Sequence, residues 1–348
     1  MTIDLKSFGL MENGRDTKIY TITNQNGMTI QLSDLGATLV SVEVPDKSQK
    51  LVDVVLGYDT ALEYETMNKC FLGAVVGRNA NRIKKGWCNI NGKLYQLDLN
   101  DGENNLHSGI NYYHQRKWLT RRVSDDGVIF YMESADGDQG YPGNLEIEVE
   151  YLLTNDNELI VEYRGVTDED TIVNMTNHSY FNMDGQESGS AEQQSVWIDA
   201  DYYTENDEES IPTGEILPVK GTPMDFTKKK KIGKDIDADY EALKLAGGYD
   251  HNWVLKTDGK FKKVAEITGA KSGITMTVST DLPGIQFYTG NYINSEKGKG
   301  GVVYQKRQGV CFETQYFPDA VNQESFKQPI LKEGEQYITR TSFQFSVK

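Results

Sequence analysis

Leu145-Glu146-Ile147-Glu148-Val149-Glu150-Tyr151 alternates apolar and acidic side chains with a period of two, the pattern of a strand with one packed face and one wet face. Residues 29–32, 159–163 and 274–278 repeat it less regularly, with β-branched and apolar residues suited to a pleated surface. Turn signals separate such runs. Asn26-Gly27, Asn91-Gly92, Asp126-Gly127 and Asp258-Gly259 each offer a glycine for the positive φ of a tight hairpin. Helical spacing is confined to residues 60–67 and 240–245, one or two turns each, and no repeat of fixed period or low-complexity linker appears. The pattern predicts an all-β fold, a large antiparallel β-sandwich. It is expected to form one domain over residues 1–348, because all-β chains run past about 200 residues as single units.

Charge changes the picture by exclusion. Lys+Arg 36 against Asp+Glu 52 gives a net charge of −16, which repels phosphate backbones and anionic membranes, so neither nucleic acid nor membrane is an expected partner. Residues 228–231 are the dense basic patch, read as a solvated loop. The start of the chain lacks a basic stretch followed by an apolar one, and nowhere do about eighteen apolar residues run together. A cytoplasmic protein is expected. Cys70, Cys88 and Cys311 contain no CxxC pair and read as reduced thiols. His107, His114, His178 and His251 show no HxxxH or HxH spacing, so no dedicated metal site is expected.

Candidate chemistry gathers in five segments. In Asn174-Met175-Thr176-Asn177-His178-Ser179-Tyr180-Phe181-Asn182, an imidazole able to move protons near pH 7 stands among side chains that can hydrogen-bond a polar substrate; a structural histidine is the alternative. Gly77-Arg78-Asn79-Ala80-Asn81-Arg82-Ile83 can present guanidinium and amide donors at a strand end, or form a solvated turn. Residues 104–109 place His107 in a polar, glycine-ended loop, where sites on rigid β scaffolds usually lie, or form a turn with an incidental imidazole. Gly247-Gly248-Tyr249-Asp250-His251-Asn252-Trp253 combines a carboxylate with an aromatic platform suited to a sugar's hydroxyl rim and apolar face, or is a turn with a buried Trp. Glu313 stands in the otherwise apolar or neutral Val310-Cys311-Phe312-Glu313-Thr314-Gln315. Burial there would raise its pKa toward neutrality and make it a better base; an acid on a wet face is the other reading.

Together these segments resemble the aldose 1-epimerase, or galactose mutarotase, family over nearly the whole chain. The resemblance rests on Asn81-Arg82, the loop at His107, residues 176–182, Pro212-Thr213-Gly214-Glu215, residues 221–226, Tyr249-Asp250-His251, residues 283–291 and Glu313-Thr314-Gln315. It implies a large β-sandwich and a cofactor-free interconversion of α and β anomers of hexoses such as galactose and glucose. It makes Glu313 the general base and His178 the acid. Arg82 and His107 are implied to hold the ring oxygen and neighbouring hydroxyls, Asp250 to accept from hydroxyls, and Asn81 and Gln286 to assist binding. Tyr180 and His251 match too, with packing roles as an alternative. Ser108 stands where many members have Gly, and Asn79 where Val or Ile is commoner. A disaccharide (maltose) epimerase and a catalytically silent sugar-binding protein are the remaining readings. A hexose 6-phosphate substrate fits poorly with so acidic a chain. The expected partner is a small-molecule sugar, with the protein a monomer or homodimer.

Overall fold

The structure is a computed structural model describing residues 1–347. The alternating segment forms the strand Leu145–Leu153, in which Leu145, Ile147, Val149, Tyr151 and Leu153 are buried while the glutamates are exposed or half-buried. It pairs with Gly127–Ser134 on one side and Glu158–Thr167 on the other. From there a nine-stranded antiparallel sheet extends through Gln336–Val347, Ile274–Thr280, Lys262–Thr268 and Ser195–Ile198. A second sheet has five strands in the order Pro212–Pro218, Tyr202–Asn206, Asp250–Val254, Gly284–Tyr288 and Cys311–Gln315. A third runs from Thr2–Leu10 to Leu51–Asp53. Phe130, Tyr151 and Val161 of the first sheet, Trp253, Phe287 and Phe312 of the second, and Ile30 and Val42 of the third share one apolar core. The fold is therefore all-β and sandwich-like. No helix among the described residues is long and apolar enough to cross a membrane.

Both expected helices form, as Ala61–Thr66 and Glu241–Ala246. Thr60 and Glu63 close a capping box on the first, and Gly247 ends the second in a left-handed conformation. Gly27, Gly92 and Gly259 adopt the expected positive φ. Two turn expectations need correction. Gly127 has no positive φ; a Cβ there would stand 2.6 Å from the Tyr151 carbonyl oxygen, so close strand approach is what demands glycine. Asp258-Gly259 follows Asp250–Val254 and precedes Lys262–Thr268, strands of different sheets, and so makes a crossover and not a hairpin.

The basic patch is corrected in part: Lys228 and Lys229 are exposed and outside any strand, as expected. Lys230–Lys231 is an edge strand paired with Ser195 and Val196. The Lys230 ammonium lies 4.4 Å from the Phe226 ring centroid and bonds Asp235 at 2.8 Å. An aromatic face and a carboxylate thus hold that lysine out of the solvated role.

Arg78 likewise does not present its guanidinium outward. It is fully buried, and its fork donates to Ser134 Oγ and O, Ala135 O, Pro142 O and Thr171 Oγ1. The charge is balanced through Ser134, whose hydroxyl donates to Asp138 at 2.6 Å. Three separate chain segments are thereby tied to the residue that precedes the Asn79–Arg82 loop. Lysine keeps the charge but cannot reproduce five directed bonds. Arg78→Lys should therefore destabilise the fold by about 3 kcal/mol, the scale of an incompletely satisfied buried ion. Urea unfolding would check this, and a loss below about 1 kcal/mol would refute the hub assignment.

Candidate active site

Antiparallel register builds the floor of the site. Asn252 pairs with Gln286 and Gln286 with Glu313, while Asp250 pairs with Tyr288 and Tyr288 with Cys311. Since strand side chains alternate, these six residues share one face of the sheet. Their neighbours His251, Trp253, Phe287 and Phe312 fill the other face, in or against the core. The same rule decides between the two readings of residues 247–253, against an aromatic platform beside Asp250 and for a buried Trp. Three positions separate Asp250 from Trp253, so the two must face opposite ways. Trp253 is fully buried, packs on Phe226 and Phe287, and donates its indole hydrogen to Met224 O at 3.1 Å. His251 packs against Tyr203 and Trp253, the structural role left open for it.

Above this floor, a cavity of about 170 Å3 is lined by Asn81, Arg82, His107, His178, Asp250, Gln286 and Glu313, together with aromatic walls. All seven residues expected at the site are therefore brought together. His178 arrives on the strand Thr176–His178, paired with Ala74–Val76. Its Nε2 lies 3.6 Å from Glu313 Oε1, and its Nδ1 lies 3.5 Å from Cys311 Sγ. The polar companions of His178 serve the frame and not the cavity. Asn174 accepts from Tyr316 N, Asn177 donates to Gly73 O, and Asn182 donates to Gly189 O and Gln308 O. Of that segment, only His178 and Tyr180 line the cavity.

Left-handed backbone delivers the opposite wall. Phe71, Asn81, His107 and Ser108 have φ of 60°, 66°, 51° and 75°. Such conformations cost about 1 kcal/mol or more for residues with a Cβ and persist where the surroundings impose them. Here the restraint is reciprocal: His107 N donates to Asn81 O at 3.1 Å, and Asn81 N donates to His107 Nδ1 at 3.2 Å. Ser108 and Asn79, the two departures from the family pattern, touch each other. The Ser108 hydroxyl accepts from Asn79 N at 2.6 Å and donates to Asn79 O at 3.1 Å. A serine in a glycine-like conformation is thus compensated by two bonds to the neighbouring loop.

Burial sets the protonation states. It raises Glu313 well above the usual carboxylate range, with nearby Asp250 reinforcing the shift, and it also raises Asp250. It lowers His178 to about 4 and His107 well below its ordinary value. Glu313 Oε2 is buried and has no hydrogen-bond partner among the described residues. Arg82 does not neutralise it; its Nε is bonded to Asp101 at 2.7 Å. Asp250 Oδ1 accepts from Gln286 Nε2 at 2.7 Å, which leaves Oδ2 available.

His107, His178 and Glu313 offer ligand atoms within 4.8 Å of one another, a spacing that a metal could use. The tautomer of His107 opposes this. Because Nδ1 accepts from Asn81 N, neutral His107 carries its hydrogen on Nε2, and coordination would require that bond to break. Donation to a substrate oxygen keeps it.

Sequence reasoning missed the aromatic walls, Phe71, Tyr288 and Tyr292. Tyr288 was within reach, since it stands two positions beyond Gln286 on the same face. Phe71 was not, because its segment reads as an apolar strand while its left-handed turn swings the ring between His107 and His178, 4.7 and 5.8 Å away by centroid.

Residues 18–344 match the family model described as aldose 1-epimerase. A galactose mutarotase of Sus scrofa is 42% identical over 341 residues, covering 98% of this chain and 97% of that protein. An aldose 1-epimerase of Escherichia coli (strain K12) is 37% identical over 339 residues, with 97% of each covered. The crystal structure of an aldose epimerase homologue from C. elegans superposes with a TM-score of 0.89 at 32% identity, covering 95% of this chain and 99% of that one. With motifs, fold and whole-chain similarity in agreement, the chain belongs to the aldose 1-epimerase family.

Proposed function

We propose that this aldose 1-epimerase interconverts the anomers of hexoses such as galactose and glucose, with Glu313 as general base and His178 as general acid. The observation that carries the assignment is the buried Glu313 Oε2, unpartnered among the described residues, beside His178 in a cavity edged by hydrogen-bonding groups. Glu313 takes the proton from the anomeric hydroxyl, the bond from C1 to O5 breaks, and His178 protonates O5. The aldehyde then turns about the bond from C1 to C2. Closure on the other face returns the first proton from Glu313 to O1 and the second from O5 to His178. The pair ends as it began.

That cycle needs one mobile proton on the pair. In the empty site burial favours the neutral arrangement, with the proton on Glu313. Hydroxyls of a bound sugar supply the donors that Oε2 lacks and favour the charged arrangement that the reaction uses. Nδ1 of His178 faces Cys311 Sγ while Nε2 faces Glu313, so Nε2 is the nitrogen that takes up and releases the proton. His107 donates from Nε2, Arg82 from terminal nitrogens with no other partner among the described residues, and Asn81 from its amide; Asp250 Oδ2 accepts. Gln286 holds Asp250 in place.

Glu313→Gln and His178→Asn should each lower kcat by about a thousandfold with the melting temperature retained, as measured by polarimetry on freshly dissolved α-galactose. Retained turnover in either variant would remove that residue from the mechanism. Wild type that binds sugar without accelerating mutarotation would mark a binding protein instead. Asp250→Asn removes an acceptor used before and during ring opening, so KM should rise about tenfold with a smaller change in kcat. The kcat/KM profile should be bell-shaped. As pH falls through about 4, His178 gains a proton while Glu313 keeps its own, and the base is lost. On the alkaline side the pair loses its remaining proton and with it the acid. An acid limb centred near the unperturbed histidine value of about 6.5 would contradict the neutral buried pair.

A further inference from the structure

Cys311 and Glu313 stand two positions apart on one strand, so their side chains share the face that floors the cavity. The His178 imidazole spans both, with Nε2 at 3.6 Å from Glu313 Oε1 and Nδ1 at 3.5 Å from Cys311 Sγ. Cys311 is fully buried. Burial, reinforced by Glu313, raises its thiol well above the ordinary value, so the sulfur stays uncharged. Nothing else offers Nδ1 a stronger partner. Phe71, His107, Tyr180 and Tyr288 meet the imidazole through their rings, at centroid distances of 5.8, 5.4, 5.1 and 6.3 Å. The His178 carbonyl already accepts from Gly73 N at 3.2 Å. Cys70, Arg82 and Asp250 line the same cavity and His114 packs on Phe71, but none of these four hydrogen-bonds His178 among the described residues. A carboxylate at Nδ1 would stabilise the imidazolium and make it a weaker acid. A neutral thiol is a weak acceptor: it seats the ring and adds little to the basicity of Nε2. Protonation of O5, a weakly basic ether oxygen, calls for such an acid.

We propose that Cys311 is a positioning residue for the acid: its sulfur accepts from Nδ1 throughout the cycle, so that Nε2 stays turned toward Glu313 and the sugar while its proton remains easy to transfer. The inference rests on the reading of His178 as general acid. The hydrogen on Nδ1 does not move. Only the Nε2 proton passes to O5 and returns, and Cys311 exchanges none.

The test compares wild type with Cys311→Ala and Cys311→Ser. The first deletes the partner; the second supplies a hydroxyl, a stronger acceptor of similar size that keeps the ring seated and stabilises the imidazolium. Polarimetry on galactose at neutral pH should show kcat about tenfold lower in Cys311→Ala with KM changed less than about twofold, and kcat within about threefold of wild type in Cys311→Ser. In Cys311→Ser the acid limb of kcat/KM should lie about one pH unit above that of wild type, because His178 then takes up its proton earlier as pH falls. Nitrogen-15 shifts of His178, assigned by their loss in His178→Asn, give a reading that needs no turnover. Wild type should carry the hydrogen of neutral His178 on Nδ1, and the titration midpoint should rise in Cys311→Ser. A hydrogen on Nε2 instead would overturn the proposal, as would Cys311→Ala with kcat within about twofold of wild type. Equal losses of kcat in both variants with the acid limb unmoved would also overturn it, since packing alone gives that result. If Cys311→Ala does not fold, the wild-type tautomer and the Cys311→Ser midpoint decide. A wild type inert on galactose would reject the acid and base reading, whereas those two measurements would still report whether sulfur holds the ring.

Discussion

The constraint on which this structure depends is the burial of an acid and a base without a fixed counter-charge. Glu313 stands on a strand whose every residue is buried, so its neutral form is favoured until something in the cavity offers hydrogen bonds. An arginine directly on Glu313 would remove that property by holding the carboxylate ionised. The fold avoids this by tying Arg82 to Asp101, near enough to influence Glu313 and committed elsewhere. Arg78, the other arginine of the same segment, is taken away altogether and satisfied by backbone and hydroxyl oxygens. Placement of the cations is thus as much a part of the site as placement of the acid.

The remaining groups are delivered by loops in unfavourable backbone geometry. Asn81 and His107 are both left-handed and exchange hydrogen bonds with each other, so neither can relax alone. That exchange also settles which nitrogen of His107 carries hydrogen. Behind it, Ser108 and Asn79 form a similar reciprocal contact. Strain, tautomer and orientation therefore share one origin in the mutual grip of two loops.

Much of this was legible in the chain, for physical reasons that differ by residue. Period-two alternation around residue 145 and the single acid at 313 announce a strand and a buried carboxylate, because burial and pleat act on each residue locally. The companions of His178 misled, since amide side chains that hold backbone in place look, in sequence, like amides that hold a substrate. Trp253 could be read as platform or as core because proximity in sequence is not proximity on a strand face. Phe71 was invisible because a positive φ in a non-glycine residue is imposed by tertiary surroundings. Gly127 shows the reverse case: the glycine was correctly singled out, but for a turn geometry when the need was a close carbonyl.

One feature of the large sheet bears on how the protein is made. Gln336–Val347, the last described strand, lies in the interior of that sheet, between Glu158–Thr167 and Ile274–Thr280. During synthesis both neighbours leave the ribosome first and wait with unpaired edges, which are templates for association with other chains. The sheet cannot close until this strand has left the ribosome, so its assembly is dominated by distant contacts, a class that folds slowly. Loss of this strand would then open the sheet at its centre and expose two long edges at once.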